Sequence, residues 1–346
     1  MTRRASVLLL VLALAVLPSA AARGAPAELP LDQQVGQLVV LSFRGQVAPP
    51  YVLEALRKRR ASGVILFGRN IASSAQLRSL TRALRAAGGR PLIAVDQEGG
   101  VVRRVPWVGP VDSEPEQAAG GSVRSEAFAA ARSLRKLGVN VNLAPVADVP
   151  SVRAAAIASR AFSSDATVTS ASVQDAVRGW LAGGVVPAAK HFPGIGGARH
   201  NTDGAVVSIH RSRAALERVD LAPYRAGIAA GVPMVMVGHA RYPALDRSRI
   251  ASQSRQIVDG ILRHELGFRG VVITDSLEAR SSLATASITT VAERAVRAGA
   301  DLVLLTGRGS YQPVYDHLLA TARADPVFRA RVRESAARVW ALKSGL

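Results

Sequence analysis

The sequence predicts an α/β protein built as a (β/α)8 barrel of the TIM type. Short apolar segments alternate with longer segments of 3.6-residue periodicity, and eight such units in about 320 residues suit this fold. The strand candidates are apolar throughout, as expected for a parallel sheet that is covered on both faces. A doubly wound open sheet is the competing arrangement, because it repeats the same units.

The strand and helix candidates follow one another without a linker or a low-complexity segment, so we expect one domain. Several helical segments begin with Ser or Thr and end at Gly, which are common helix-capping residues. The predicted strands are residues 38–43, 63–67, 92–95, 139–144, 185–189, 234–237, 271–274 and 301–306. The predicted helices include residues 74–87, 126–137, 172–182, 213–230, 256–266 and 289–298.

The first 27 residues have the pattern of a secretory signal peptide. Arg3 and Arg4 precede an apolar run over residues 7–17, and cleavage is expected after Ala22 or Ala27. This run is too short to span a bilayer, and no later apolar run is long enough for a transmembrane anchor. We therefore expect a barrel domain over residues 28–346, located outside the cytoplasmic membrane. Twin-arginine and general secretory export both remain open.

The composition restricts the chemistry. With no Cys, the chain has no disulfides, no thiolate nucleophile and no Cys that could carry a lipid anchor. Lys and Arg number 44 against 25 Asp and Glu, for a net charge of +19. The arginines are scattered and aromatic residues make up only 4%, which favours solvated basic faces over a nucleic-acid interface. A secreted protein near anionic wall polymers also fits this charge.

Polar residues occur where the predicted strands end. Because the carboxyl ends of barrel strands meet at one mouth, we expect these side chains to lie close together. A buried cluster of ionisable side chains indicates a ligand site. Any one of these residues alone is also explained as a helix N-cap or as part of a solvated loop. The residues are Asp96, Asp148, Lys190, His191, His239 and Asp275.

Several chemistries lack their sequence signatures. No His-x-x-x-His or carboxylate pair has metal-ligand spacing, and Gly-x-Ser-x-Gly is absent. The glycine-rich residues 194–197 lack the Lys-Ser/Thr of a phosphate-binding loop. An Asp at a strand end, facing Arg, Lys and His donors, suits glycoside hydrolysis through a carboxylate nucleophile.

At these residues the sequence resembles glycoside hydrolase family 3, in the single-barrel branch similar to bacterial β-N-acetylglucosaminidases. The resemblance runs from about residue 31 to residue 342. Its most specific words are Asp96-Gln97-Glu98-Gly99-Gly100 and Lys190-His191-Phe192-Pro193-Gly194, in that order. Other matching words begin at residues 31, 63, 143 and 159, and Thr274-Asp275-Ser276-Leu277 ends the seventh predicted strand.

The resemblance implies a retaining β-glycosidase that acts on N-acetylglucosaminides or related β-glycosides of wall polymers. It makes Asp275 the nucleophile and His239 a residue that lines the pocket. No cofactor, metal or nucleic-acid partner is implied, and the oligomeric state is left undetermined. The resemblance also implies four residues that hold the sugar hydroxyls: Asp96, Arg160, Lys190 and His191.

One departure concerns the acid/base. In that branch a His, with an Asp two residues before it, supplies the proton from the loop after Lys-His-Phe-Pro-Gly-His-Gly. Here Ile195 replaces the second His of that word, and the two acid/base positions fall on Asn201 and Asp203. Asp203 itself, or His200 oriented by Asp203, is therefore expected to donate the proton. The alternative is a silent barrel that binds wall glycans without turnover.

Overall fold

The computed structural model describes residues 29–346, and the predicted signal peptide lies outside them. Eight parallel strands close into a barrel, in which the first strand pairs with the last through Val39 and Val303. The predicted (β/α)8 fold is therefore confirmed. We label the barrel strands β1 (Val39–Leu41), β2 (Gly63–Ile65), β3 (Leu92–Val95), β4 (Val141–Asn142), β5 (Val186–Phe192), β6 (Met234–Val237), β7 (Val271–Ser276) and β8 (Leu302–Leu305).

Helices surround the barrel, and two short antiparallel hairpins lie outside it. The hairpins pair Gln97–Gly99 with Val102–Arg103 and Arg241–Tyr242 with Asp246–Ile250. The α-helices are Leu31–Gly36, Pro50–Arg57, Ser74–Ala86, Glu114–Gly120, Val123–Lys136, Ala166–Ala182, Arg213–Ala215, Ala222–Ala229, Arg280–Leu283, Ile288–Ala298, Tyr311–Ala324 and Pro326–Ser344. The 3-10 helices are Gly68–Asn70 and Ala251–Gln253, and the π-helices are Leu216–Asp220 and Gln256–Glu265.

The strands bury side chains on both faces, so the core has two layers. In β6, Met234 and Met236 point into the barrel, while Val235 and Val237 pack against the helices. This alternation follows from the two-residue period of a strand. Leu342 and Leu346 pack against the inner layer, so its polar mouth is at the other end, where the strands terminate. Within residues 29–346, no helix combines the length and apolar character needed to cross a membrane.

Two predicted elements differ in kind from the observed ones. The predicted helix 213–230 is divided into an α-turn, a π-helical segment and Ala222–Ala229. Pro223 lies in the first turn of that last helix and lacks an amide hydrogen, so it suits a helix start and not a helix interior. Residues 256–266 were predicted to be a regular helix, but Gln256–Glu265 is π-helical.

The ends of several strands were also misplaced. Strands β5 and β7 extend further than predicted, so Lys190, His191 and Asp275 lie within strands and not after them. Strands β1, β2, β4 and β8 are shorter than their apolar runs. The reason is that barrel closure, through pairing with neighbours, determines strand length, whereas an apolar run records only burial.

Candidate active site

A pocket of about 430 Å³ opens at the carboxyl ends of the strands. Seven of the eight barrel strands supply side chains to its lining, directly or through the residues that follow them. The pocket brings together most of the residues predicted from the sequence. Those that line it are Asp96, Arg160, Lys190, His191, Asp203 and Asp275.

One side of the pocket is a network of buried charges around Lys190. Its ammonium lies 2.8 Å from Asp96 Oδ1 and 2.6 Å from Glu98 Oε1. Arg160 donates two hydrogen bonds to the carboxylate of Glu98, at 2.8 and 2.7 Å. Paired and hydrogen-bonded in this way, the charges tolerate burial, and their donors and acceptors are already oriented for a polar ligand.

The network keeps Glu98 and Lys190 ionised. Burial opposes ionisation of Glu98, but Lys190 and Arg160 outweigh it and hold the pKa of this carboxyl below its ordinary value. Burial likewise opposes the charge of Lys190, whereas Asp96 and Glu98 raise the pKa of the amine.

Asp148 orients His191. The chain after β4 continues beside β5, with Val146 opposite Lys190, which brings the fully buried Asp148 next to the imidazole. Asp148 Oδ2 lies 2.8 Å from His191 Nδ1, and its Oδ1 accepts the backbone N–H of Ile195 at 2.7 Å. With a proton on Nδ1 this contact is a hydrogen bond to the carboxylate, and Nε2 is then left for a ligand.

His239 occupies a different position from the one predicted for it. The ring is fully buried, with Nδ1 2.8 Å from Ser252 Oγ and Nε2 2.8 Å from the carbonyl of Ser276. It does not line the pocket. A direct contact between His239 and the substrate stays a prediction. In the structure, the His239 ring contacts the backbone at the end of the strand that carries Asp275.

Asp275 lies near the end of β7 and is partly buried in the pocket. Its Oδ1 accepts the N–H of Ser276 at 2.7 Å. Burial raises the pKa of Asp275, but the nearby imidazoles of His191 and His239 and this hydrogen bond outweigh burial and leave the pKa below its ordinary value. Asp275 is therefore an ionised, acceptor-only group at neutral pH, as a carboxylate nucleophile requires.

The loop after β5 reaches the pocket beside Asp275. The N–H of Arg280 donates to the carbonyl of Asp203 at 3.0 Å, and the hydroxyl of Ser281 donates to the carbonyl of Thr202 at 2.8 Å. These bonds tie the loop to the segment that follows β7. At the start of the loop, Gly196 packs so closely on Val149 that an added Cβ would lie 1.9 Å from its carbonyl oxygen.

The two acid/base candidates are placed differently. Asp203 lines the pocket although the residue as a whole is exposed, whereas His200 is exposed and does not line it. Partial loss of hydration, and then the negative charge of Asp275, raise the pKa of Asp203. The pKa values of Asp203 and Asp275 are thus displaced in opposite directions, the pattern of an acid and a nucleophile that share a site.

Sequence reasoning assigned no role to several carboxylates near the pocket. The sequence contained a signal for Glu98: it lies two residues after Asp96, and in an extended segment residues two apart point to the same side. Glu114 is buried behind the network and accepts the N–H of Val146 at 3.0 Å. Burial and the charge of Glu98 raise the pKa of Glu114 well above its ordinary value. Glu278 lines the pocket and accepts the N–H of Thr306 at 2.9 Å.

A (β/α)8 barrel with carboxylates and cationic donors around a pocket at its carboxyl end is typical of glycoside hydrolases. Residues 30–342 match the family described as Glycosyl hydrolase family 3 N terminal domain. The chain belongs to this family, as the sequence words predicted, and is thus a glycoside hydrolase by class.

Relatives match over most of the chain. A protein of Arthroderma benhamiae, described as an uncharacterized secreted glycosyl hydrolase, is 33% identical over 94% of this chain and 97% of its own length. The β-hexosaminidase of Stenotrophomonas maltophilia is 37% identical over 72% of this chain and 77% of its own.

Solved structures agree with these matches. A β-N-acetylhexosaminidase from Beutenbergia cavernae has a TM-score of 0.84 and 34% identity, covering 92% of this chain and 99% of its own. A family 3 β-N-acetylglucosaminidase from Paenibacillus sp. has a TM-score of 0.89 and 33% identity, covering 92% of this chain and 62% of its own.

Proposed function

We propose that the protein is a retaining β-N-acetylhexosaminidase that acts on β-glycosides of cell-wall polymers. The observation that carries the proposal is that Asp275 and Asp203 line one pocket with pKa values displaced in opposite directions. The names of the β-hexosaminidase relatives support the choice of sugar.

In the proposed reaction Asp275 attacks the anomeric carbon, and the bond from that carbon to the leaving oxygen breaks. Asp203 donates its proton to that oxygen, so the leaving group departs as a neutral alcohol. Asp203 then removes a proton from water, which attacks the anomeric carbon and releases Asp275. One water is consumed, and both carboxyl groups return to their starting states.

The remaining pocket residues hold the sugar in this proposal. In the proposal the carboxylate of Asp96 accepts sugar hydroxyls, and Arg160, Lys190 and the Nε2 of His191 contact the sugar; the lining of the pocket by all four residues supports this. These groups are already ordered by their ion pairs, so little further ordering is needed on binding. A second groove of about 880 Å³ shares Thr306 with the pocket and gives room for the rest of a longer glycan.

The proposal is tested with a panel of 4-nitrophenyl β-glycosides and with N,N′-diacetylchitobiose. We expect the β-N-acetylglucosaminide to be cleaved fastest, with net retention at the anomeric carbon by NMR. Replacement of Asp275 by Gly, with azide added, should yield a glycosyl azide. Binding of N-acetylglucosamine without turnover of any glycoside would instead support a silent glycan-binding barrel.

We also propose that the protein is exported. The predicted signal peptide supports this, as does the description of the Arthroderma benhamiae relative as secreted. N-terminal sequencing of the protein from the culture medium should begin at residue 23 or residue 28. Recovery of the uncleaved chain from the cytoplasm alone would contradict export.

A further inference from the structure

A third cavity lies on the outside of the barrel and shares no lining residue with the active-site pocket. Its volume is about 480 Å³. Three helices border it: Gln256–Glu265, Ile288–Ala298 and Pro326–Ser344. Seven arginines but only two acidic residues, Asp259 and Glu334, line it. We call it the arginine cavity.

The back of the arginine cavity is built around one buried carboxylate. Asp301 is fully buried and lies within 2.5 Å of Arg263, 2.7 Å of Arg331 and 3.1 Å of Arg338. One carboxylate cannot neutralise three guanidinium groups. Glu334 offsets part of the excess, since it pairs with Arg331 and Arg338 from the more exposed side.

The rim of the cavity adds positive charge without a counterion. Arg249 is exposed, and Arg294 donates to the carbonyl of Thr285 at 3.4 Å. Neither has a carboxylate within 4.0 Å in residues 29–346, whereas Arg255 and Arg297 do. The seven arginines therefore meet five carboxylates in all, so the cavity carries an excess of positive charge.

Arg263, the most buried of the seven arginines, has a lowered pKa, whereas Asp301 and Glu334 outweigh burial and raise the pKa of Arg338. Burial lowers the pKa of Arg263, and although Asp301 acts in the opposite direction, the charges of Arg338 and Arg331 lower the pKa further. Placing an anion in the cavity would relieve this repulsion.

We propose that the arginine cavity binds a polyanion bearing several phosphate groups. Guanidinium forks bind phosphate oxygens in pairs, and two arginines without a carboxylate partner, in a cavity lined by five more, favour an anion with many acceptor oxygens. The proposal also gives a use to the net charge of +19, which glycoside hydrolysis does not need. The ligand is either a soluble oligophosphate or a phosphodiester polymer, since both present the same groups.

The first test is calorimetric titration of the full chain with tripolyphosphate at low salt. We expect saturable binding to one site, weakened at least tenfold in the double variant R249Q/R294Q. The matched control is R78Q/R82Q, which removes two exposed arginines from helix Ser74–Ala86 and causes the same loss of charge. The proposal would be overturned if both double variants weakened tripolyphosphate binding equally, or if the unmodified protein showed no saturable binding.

The second test separates the two sources of phosphate. Poly(glycerol phosphate) that binds more tightly than tripolyphosphate, and whose binding R249Q/R294Q weakens, would identify a polymer ligand. Tighter binding of tripolyphosphate, again weakened by R249Q/R294Q, would identify a soluble oligophosphate. If R249Q/R294Q and R78Q/R82Q weaken binding of poly(glycerol phosphate) equally, the polymer does not bind in the arginine cavity. Neither test measures hydrolysis, so their outcome is independent of the proposed glycosidase activity.

Discussion

The ammonium of Lys190 lies 2.6 Å from Glu98 Oε1, and both side chains are almost completely buried. The pair joins β5 to the hairpin after β3, and Arg160 completes it from a loop. Three separate segments of the chain are therefore held by the charge of one carboxylate. Breaking a buried pair leaves the partner charge uncompensated, so this contact affects both stability and the pocket.

Replacing Glu98 with Gln should destabilise the fold by about 3–5 kcal/mol, because Lys190 and Arg160 would lose their shared counterion. Urea denaturation measures this loss. The matched control is Glu54→Gln, since Glu54 and Lys58 also lie 2.6 Å apart but are exposed. We expect little change there, because solvent screens an exposed pair. Similar destabilisation in both variants would show that burial of the Glu98 pair is unimportant.

Replacing Asp275 with Asn should abolish turnover, because the amide cannot act as the nucleophile. The fold should persist, since the side chain lies in the pocket and not in the core. The measurements are kcat on an aryl glycoside and the Tm. Asp175→Asn, on helix Ala166–Ala182 outside the barrel, is the control and should keep full activity. A variant at 275 that retains more than a few per cent of activity would remove Asp275 from this role.

Replacing Asp203 with Ala should slow cleavage of a disaccharide by about 10²–10⁴ but spare a 2,4-dinitrophenyl glycoside, which needs no proton on its leaving group. His200→Ala should be nearly silent on both substrates, because His200 does not line the pocket. Comparison of kcat/KM for the two substrates checks this. A severe loss in His200→Ala would favour His200 as the acid, with Asp203 orienting it.

The pH dependence of kcat/KM for a disaccharide should follow the same two groups. Asp275 must be ionised, and its lowered pKa places the acidic limb below the ordinary range of Asp. Asp203 must be protonated, and its raised pKa moves the alkaline limb to higher pH. With a 2,4-dinitrophenyl glycoside only the acidic limb should remain. An alkaline limb that persists in Asp203→Ala would assign it to another group.

Lys343 should make stability depend on pH. Its ammonium is buried beneath the barrel, 2.9 Å from Gln37 Oε1, and burial followed by the charge of Arg59 lowers its pKa to about 7. The unfolded chain, with an ordinary lysine pKa, therefore binds more protons between pH 7 and pH 10.5. This contribution makes the folded state more stable as pH rises across that window.

The unfolding free energy is measured at several pH values for the unmodified protein and for Lys343→Met. The difference between the two proteins isolates the contribution of Lys343 to the pH dependence of stability. The difference should shift in favour of the unmodified protein as pH rises from about 7. Lys136→Met, at an exposed position on helix Val123–Lys136, serves as the control and should show no such slope. A flat difference for Lys343→Met would show that its amine titrates normally.

The sequence alone predicted the barrel, because burial on both faces makes each strand apolar throughout and the units repeat eight times. It misplaced strand ends and missed the π-helical segments. These depend on pairing between neighbours and on backbone packing, which an apolar run does not record. The helix Ala166–Ala182 illustrates the limit: it begins six residues before the predicted start, and Asp165 caps it by accepting the N–H of Thr167.

The sequence also determined which residue types gather at the mouth, because the ends of parallel strands must meet there. Tertiary structure decided where each of them lies and what it contacts. The local pattern did not show that Asp148 contacts His191, that His239 is buried outside the pocket lining, or that Asp203 lines the pocket while His200 does not. The physical reason is that ionisation and orientation depend on burial and on charges brought together from distant segments, which only the folded chain supplies.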